Sequence, residues 1–399
     1  MTDVFVVSDS ILSPLGSTTA ENFARLKASV SGIRLQTDKA LSDEPFFAAL
    51  FEKSLDDYLA SVIPYPHSLT RFEQLLIASI RTALTDSGVD PASPETILII
   101  SSTKGNIGLL EAAEPVPDRN YRIALPTSAG RVAGYFHFAN PPLVVSNACI
   151  SGLLAIITGM RLIRSGRYRH AVIAGADLIT KFVLSGFQSF QAVSPEPCAP
   201  FDRDRKGISL GEGAATLILS GQEKFPGQDP LSGQKILKGS HAIKVTAGRT
   251  GNDANHISGP SRTGQELSHI IRKVLEDAKL TAQDIAFISA HGTATPYNDE
   301  MEAKALFLAG LESVPVNSLK GFYGHTLGAA GLIESIITIA SMREELILPT
   351  KGFSQLGVTK PIRVAHSLMS KPLGHCLKTA SGFGGCNAAV LYSKTNGEN

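Results

Sequence analysis

Cys149 stands where an apolar run, Leu143-Val144-Val145, gives way to Ser151-Gly152 and a helix-like stretch. A thiol at a strand-to-helix turn is a candidate nucleophile, because first-turn N–H groups and the helix dipole favour a thiolate. Far downstream, His291 opens the run His-Gly-Thr-Ala-Thr-Pro, and His325 lies between Lys320 and Gly328-Ala329-Ala330-Gly331. Imidazoles set in glycine-rich turns can handle protons or developing negative charge. Glycine supplies the dihedrals and the close backbone approach that such turns need. Singly, a buried structural cysteine and ordinary histidines are the plainer readings. Taken together, one sulfur and two rings form the constellation with the most chemistry in it.

Those residues have to be carried by elements. Short β-branched runs alternate with amphipathic stretches: residues 4–7 then 18–28, 97–100 then 106–113, and 143–145 then 152–163. A further run at 171–174 leads into loops, 285–289 precedes 299–308, and 328–342 precedes Ile347. This alternation predicts an α/β architecture with buried strands. The chain has 399 residues, 43% of them hydrophobic and 18% charged, enough for two halves sharing a large interior. Residues 222–239, rich in Gly, Pro, Gln and Lys, read as the seam, giving halves at 1–235 and 236–399.

A formal net charge of +1 argues against general affinity for nucleic acid or anionic membrane. Four cysteines without a C-x-x-C pair suggest neither a zinc site nor a disulfide framework, and they fit a reducing cytoplasm. The amino terminus lacks a signal-peptide pattern, and the apolar run at 153–163 is interrupted and too short to span a bilayer. Phosphate-loop and metalloprotease motifs are missing as well.

Several blocks together resemble the β-ketoacyl-[acyl-carrier-protein] synthases, the elongating Cys-His-His condensing enzymes. They are Asn147-Ala148-Cys149-Ile150-Ser151-Gly152, the His291 run, the Lys320/His325 run and Ser381-Gly382-Phe383-Gly384-Gly385. Phe201-Asp202-Arg203-Asp204-Arg205-Lys206-Gly207 leading to Gly211-Glu212-Gly213 makes a fifth, and Leu12-Ser13-Pro14-Leu15-Gly16 resembles the family's opening. The resemblance implies a thiolase fold, five layers (α-β-α-β-α) built from two related halves, usually as a homodimer. It implies a decarboxylative condensation of an acyl thioester with malonyl-acyl carrier protein, with no cofactor beyond the carrier's phosphopantetheine arm.

By the same resemblance, Cys149 accepts the acyl group, and His291 and His325 face the malonyl carbonyl. Lys320, Glu302 and Glu334 support them. The N–H of Phe383 joins that of Cys149 in an oxyanion hole while its ring gates the pocket, and Thr293 and Thr295 hold the pantetheine amides. Cys386 stands where the family usually has threonine, and Ser209 and the Thr103-Lys104-Gly105-Asn106 segment also depart from it. A ketosynthase of a specialised polyene, pigment or polyketide pathway fits the same blocks. A non-catalytic chain-length-factor-like subunit is the other alternative, which retention of Cys149, His291 and His325 argues against.

Overall fold

Apolar β-branched runs become strands, and the stretches between them become helices that cover the faces of a sheet. The computed structural model describes residues 2–64, 68–85, 87–112, 116–222 and 242–395. In chain order its first half contains β1 (Phe5–Leu12), α1 (Arg71–Thr85), β2 (Thr96–Ser101), α2 (Leu125–Tyr135) and β3 (Leu143–Val145). It continues with α3 (Ser151–Arg164), β4 (His170–Asp177), α4 (Lys181–Ser189) and β5 (Gly213–Ser220). The second half has β6 (Ile243–Asn252), α5 (Gln265–Ala278), β7 (Phe287–Ser289), α6 (Pro296–Leu308) and β8 (Pro315–Asn317). There follow α7 (Ala330–Glu344), β9 (Arg363–Val364), β10 (His375–Gly382) and β11 (Cys386–Lys394).

These strands form one ladder in the order β9-β8-β7-β10-β11-β6-β1-β5-β4-β2-β3. Its two wings meet where Phe5 of β1 pairs with Lys244 of β6. Each wing repeats a pattern, with parallel strands outside (β3-β2-β4 and β9-β8-β7-β10) and antiparallel pairing inside (β4-β5-β1 and β10-β11-β6).

Helices α3 and α7 lie between the wings and touch strands of both, α1 covers β1, β4 and β5, and α5 covers β6 and β11. The result is the five-layered α-β-α-β-α arrangement. Its central helices cross at two glycines. A Cβ on Gly152 would lie 2.7 Å from the Leu332 nitrogen, and one on Gly331 would lie 2.7 Å from the Leu153 nitrogen. The contact is reciprocal, so each helix gives up a side chain to let the other's backbone in. From Ala330 to Met342 every residue of α7 is buried, including Glu334, which is paired with Lys320.

Two expectations need comment. Of the stretch 106–113, the described residues 106–112 form no α-helix but only a single 3₁₀ turn, Ile107–Leu110. Gly105 with φ of 51° turns the chain there, and the Glu111 carboxylate accepts from the Lys181 and Phe182 N–H groups at the start of α4. Those contacts replace the continuation of a helix. The expected seam falls mostly on residues 223–241, outside the described residues, as does the boundary at 235/236. Among the described residues, no helix is long and apolar enough to cross a membrane.

Candidate active site

Between β3 and α3 the chain makes a sharp turn that presents the thiol. Ala148 takes φ of 44°, unfavourable for any residue with a side chain. Ser151 holds the turn: its Oγ accepts from the Asn147 N–H at 2.8 Å and donates to the Ala148 carbonyl at 2.6 Å. Cys149 therefore stands two residues ahead of α3, as expected, but it is only 8% exposed. Burial outweighs the helix terminus. The thiol is pushed up to about 12, first by desolvation and then by the neighbouring Cys386, against the lowering pull of Lys320 and the Phe383 N–H. The sequence-based expectation of a resting thiolate is thus corrected: desolvation keeps the sulfur neutral until something replaces the lost solvent.

His291 sits in a turn clamped by two carboxylates of α6. Glu302 accepts from the N–H groups of His291 (2.9 Å) and Gly292 (2.8 Å) and from the Thr379 hydroxyl (2.6 Å). Asp299 accepts from the N–H groups of Thr293, Ala294 and Phe201. Positive φ at Gly292 and Ala294 bends the turn so that these N–H groups converge. His325 is held instead by the fifth sequence block. Its N–H donates to the Ser209 carbonyl at 2.7 Å, and its own carbonyl accepts from Gly211 at 3.1 Å. Gly211 has to be glycine, since a Cβ would lie 1.9 Å from the Tyr323 carbonyl oxygen.

The two rings lie edge to face, 5.3 Å between centroids. A nitrogen of each ring and the Cys149 sulfur lie within 4.8 Å of one another. Three side chains far apart in sequence are thereby brought to one point. The Leu327 N–H donates to His325 Nδ1 at 3.1 Å, which leaves the proton on Nε2, and that nitrogen is buried without a partner. The Lys320 ammonium lies 3.4 Å from His291 Nδ1 and likewise leaves Nε2 as the donor. Burial first, and then Lys320 and the other nearby cations, hold both imidazoles well below the ordinary histidine value. Both are neutral N–H donors facing the sulfur. This tautomer also disfavours a metal, which would need the lone pair that Nε2 does not offer.

Behind the rings lies a buried charge cluster. Lys320 Nζ donates to the His291 carbonyl at 2.7 Å and to Glu334 Oε1 at 2.5 Å. The other oxygen of Glu334 meets Lys378 Nζ at 2.7 Å. Lys378 further donates to the carbonyls of Ser289, Ala290 and Thr379. Lys378 and Asp299 are residues that sequence reasoning missed. For Asp299 the signal was there, an acid three residues before Glu302 on the same helix face. For Lys378 there was none, because a lysine in a strand normally points to water. Asp177 was missed too: it accepts from Ser102 Oγ and from the N–H groups of Thr103, Lys104 and Gly328, tying β4 to the turn before α7.

The Phe383 N–H faces the Cys149 sulfur. Its ring, 37% exposed, stacks on Phe187 (5.8 Å) and meets the edge of Phe190 (5.4 Å) beside α4. Thr293 and Thr295 bond to each other at 2.9 Å, and Thr295 caps α6 by accepting from the Asn298 N–H.

Comparison with known proteins agrees with this architecture. Residues 1–224 match the beta-ketoacyl synthase N-terminal domain and residues 241–354 the beta-ketoacyl synthase C-terminal domain. The chain is 30% identical to 3-oxoacyl-[acyl-carrier-protein] synthase 2 of Vibrio cholerae, over 98% of this chain and 99% of that protein. It is 31% identical to the tetracenomycin polyketide synthase ketoacyl synthase alpha subunit of Streptomyces glaucescens, over 81% of each. Among solved structures, the ishigamide ketosynthase/chain length factor superposes with a TM-score of 0.86 at 26% identity, covering 99% of this chain and 100% of that one. With both domain models matched in order and sulfur and rings converging between the two halves, the chain belongs to the beta-ketoacyl synthase family.

Proposed function

We propose that the protein condenses an acyl thioester with malonyl-acyl carrier protein through an acyl-Cys149 intermediate, giving a 3-oxoacyl-carrier product and CO₂. The observation that carries this reading is the convergence of Cys149 with two neutral N–H-donating imidazoles. In the first half-reaction the Cys149 sulfur attacks the carrier-bound thioester carbonyl, and the carrier thiol leaves with the proton. The N–H groups of Cys149 and Phe383 are the donors for the tetrahedral oxyanion, with the Phe383 ring as gate. In the second, malonyl thioester loses CO₂ while His291 and His325 donate to its carbonyl oxygen, where enolate charge develops. The enolate carbon then forms a C–C bond to the acyl carbon, and the bond to sulfur breaks. Lys320 and Lys378 help keep the rings neutral, while Glu302 holds the His291 turn and Glu334 holds Lys320. Thr293 and Thr295 are the residues we assign to the pantetheine amides.

Intact-mass analysis after incubation with acyl carrier protein tests the assignment, with an adduct on Cys149 expected and none on Cys149→Ala. His325→Ala should lose malonyl decarboxylation by about 100-fold, the order for one oxyanion donor, while acyl loading falls far less. Equal loss in both half-reactions would sink this division of roles. A screen of donor length and unsaturation separates a fatty-acid role from a specialised one, which the similarity to the tetracenomycin subunit keeps open. We also propose a twofold dimer, formed through the free edge of β3.

A further inference from the structure

We infer that Cys386 is a positioning residue for acyl transfer, because its thiol sets the spacing between the two oxyanion donors, the N–H groups of Cys149 and Phe383. The inference rests on the reading of Cys149 given above and adds to it a residue that makes no bond to the substrate, although its sulfur also helps push the Cys149 thiol up. Cys386 begins β11, opposite Gly382 in the register of the β10–β11 hairpin. Its Sγ lies 3.4 Å from the Phe383 carbonyl and 3.8 Å from the Asn147 carbonyl, so one S–H proton is shared between the two segments that supply the donors.

Gly382 makes that bridge possible. A Cβ at this glycine would lie 2.9 Å from the Cys386 sulfur and 3.0 Å from the Cys149 nitrogen. The sulfur, the nucleophile's own N–H and the Ala148 Cβ (3.3 Å) thus border one small gap. Each S–H···O contact is weak. What gives this one leverage is its place, between the turn before Cys149 and the turn carrying Phe383. Each turn is held from its own side, the first by Ser151 and the second by Gly384 N–H on the Ile257 carbonyl and Asp253 N–H on the Gly385 carbonyl, and the Cys386 thiol ties the Asn147 carbonyl of one to the Phe383 carbonyl of the other. The rings of His291 and His325 are held by α6, Leu327 and Lys320, none of which touches Cys386 through a hydrogen bond described above. Acyl loading should therefore depend on Cys386, and decarboxylation should not.

The test compares Cys386→Ala, Cys386→Thr and the unmodified protein in separate half-reactions. These are the initial rate of acyl adduct formation on Cys149 by intact mass, and CO₂ release from malonyl carrier protein. Cys386→Ala should load about tenfold more slowly, since the donors are displaced rather than removed, with decarboxylation within about twofold of the unmodified rate. Cys386→Thr, whose hydroxyl can bridge the same carbonyls, should restore loading to within about twofold. Unchanged loading in Cys386→Ala, an equal fall in both half-reactions, or no rescue by threonine would each overturn the inference. If Cys386→Ala does not fold, Cys386→Ser and Cys386→Val carry the same contrast between a donor and an apolar filler. An unmodified protein that takes no acyl group on Cys149 removes the underlying reading, and this inference with it.

Discussion

At the residue scale, two forces compete over the Cys149 proton. A helix terminus, the Lys320 ammonium and the Phe383 N–H all favour the thiolate, but desolvation by burial opposes them and wins, pushing the thiol up to about 12. The sign of the consequence is definite. At neutral pH the sulfur is protonated, and its thiolate fraction grows about tenfold for each pH unit below that value. Alkylation of Cys149 by iodoacetamide, followed by peptide mass spectrometry, should therefore rise steadily from about pH 7 to 10 without levelling. A plateau near the ordinary thiol value of about 8.5 would show that the sulfur is not held neutral. Two ordering effects act on the rings in a similar way. Desolvation keeps His291 and His325 uncharged, and one hydrogen bond to each Nδ1 turns that neutrality into a directed donor.

Elements decide where those residues stand. Cys149, His291 and His325 were legible in the sequence because each lies beside small residues that permit a turn, and Lys320 because it stands five residues before His325 in the same motif. Lys378 and Asp177 were not, since a lone charged residue in a strand acquires meaning only when a distant helix packs over it. The single 3₁₀ turn at 107–110 was misread for a related reason: the carboxylate that diverts the chain, Glu111, finds its donors on α4, seventy residues away in sequence. The crossing of α3 and α7 is where element packing and active site are most tightly linked, because α3 carries the thiol turn at its start and α7 follows the His325 turn. Gly331→Ala should cost about 1–3 kcal/mol in urea unfolding, because its Cβ meets the Leu153 backbone. Gly130→Ala on α2, where a Cβ meets nothing within 4 Å, should be neutral or stabilising by up to about 1 kcal/mol. Equal effects at the two positions would mean that the close approach of the central helices is not what excludes a side chain.

For the whole molecule, the ladder ends at β3, which among the described residues pairs with β2 alone and leaves Leu143 exposed. An edge this apolar in the strand leading to the nucleophile is the surface through which the proposed dimer would form. Light scattering should give twice the 42.2 kDa chain mass, and Leu143→Lys should shift it toward the monomer. A chain that stays monomeric at micromolar concentration would remove the proposal. One detail of the interior bears on how such an enzyme behaves while idle. The Nε2 N–H of His325 faces the Cys149 sulfur and makes no hydrogen bond to a protein group. An oxygen that brings negative charge between the rings gives this donor a partner, so binding of malonyl-acyl carrier protein should leave the protein harder to melt than it is alone.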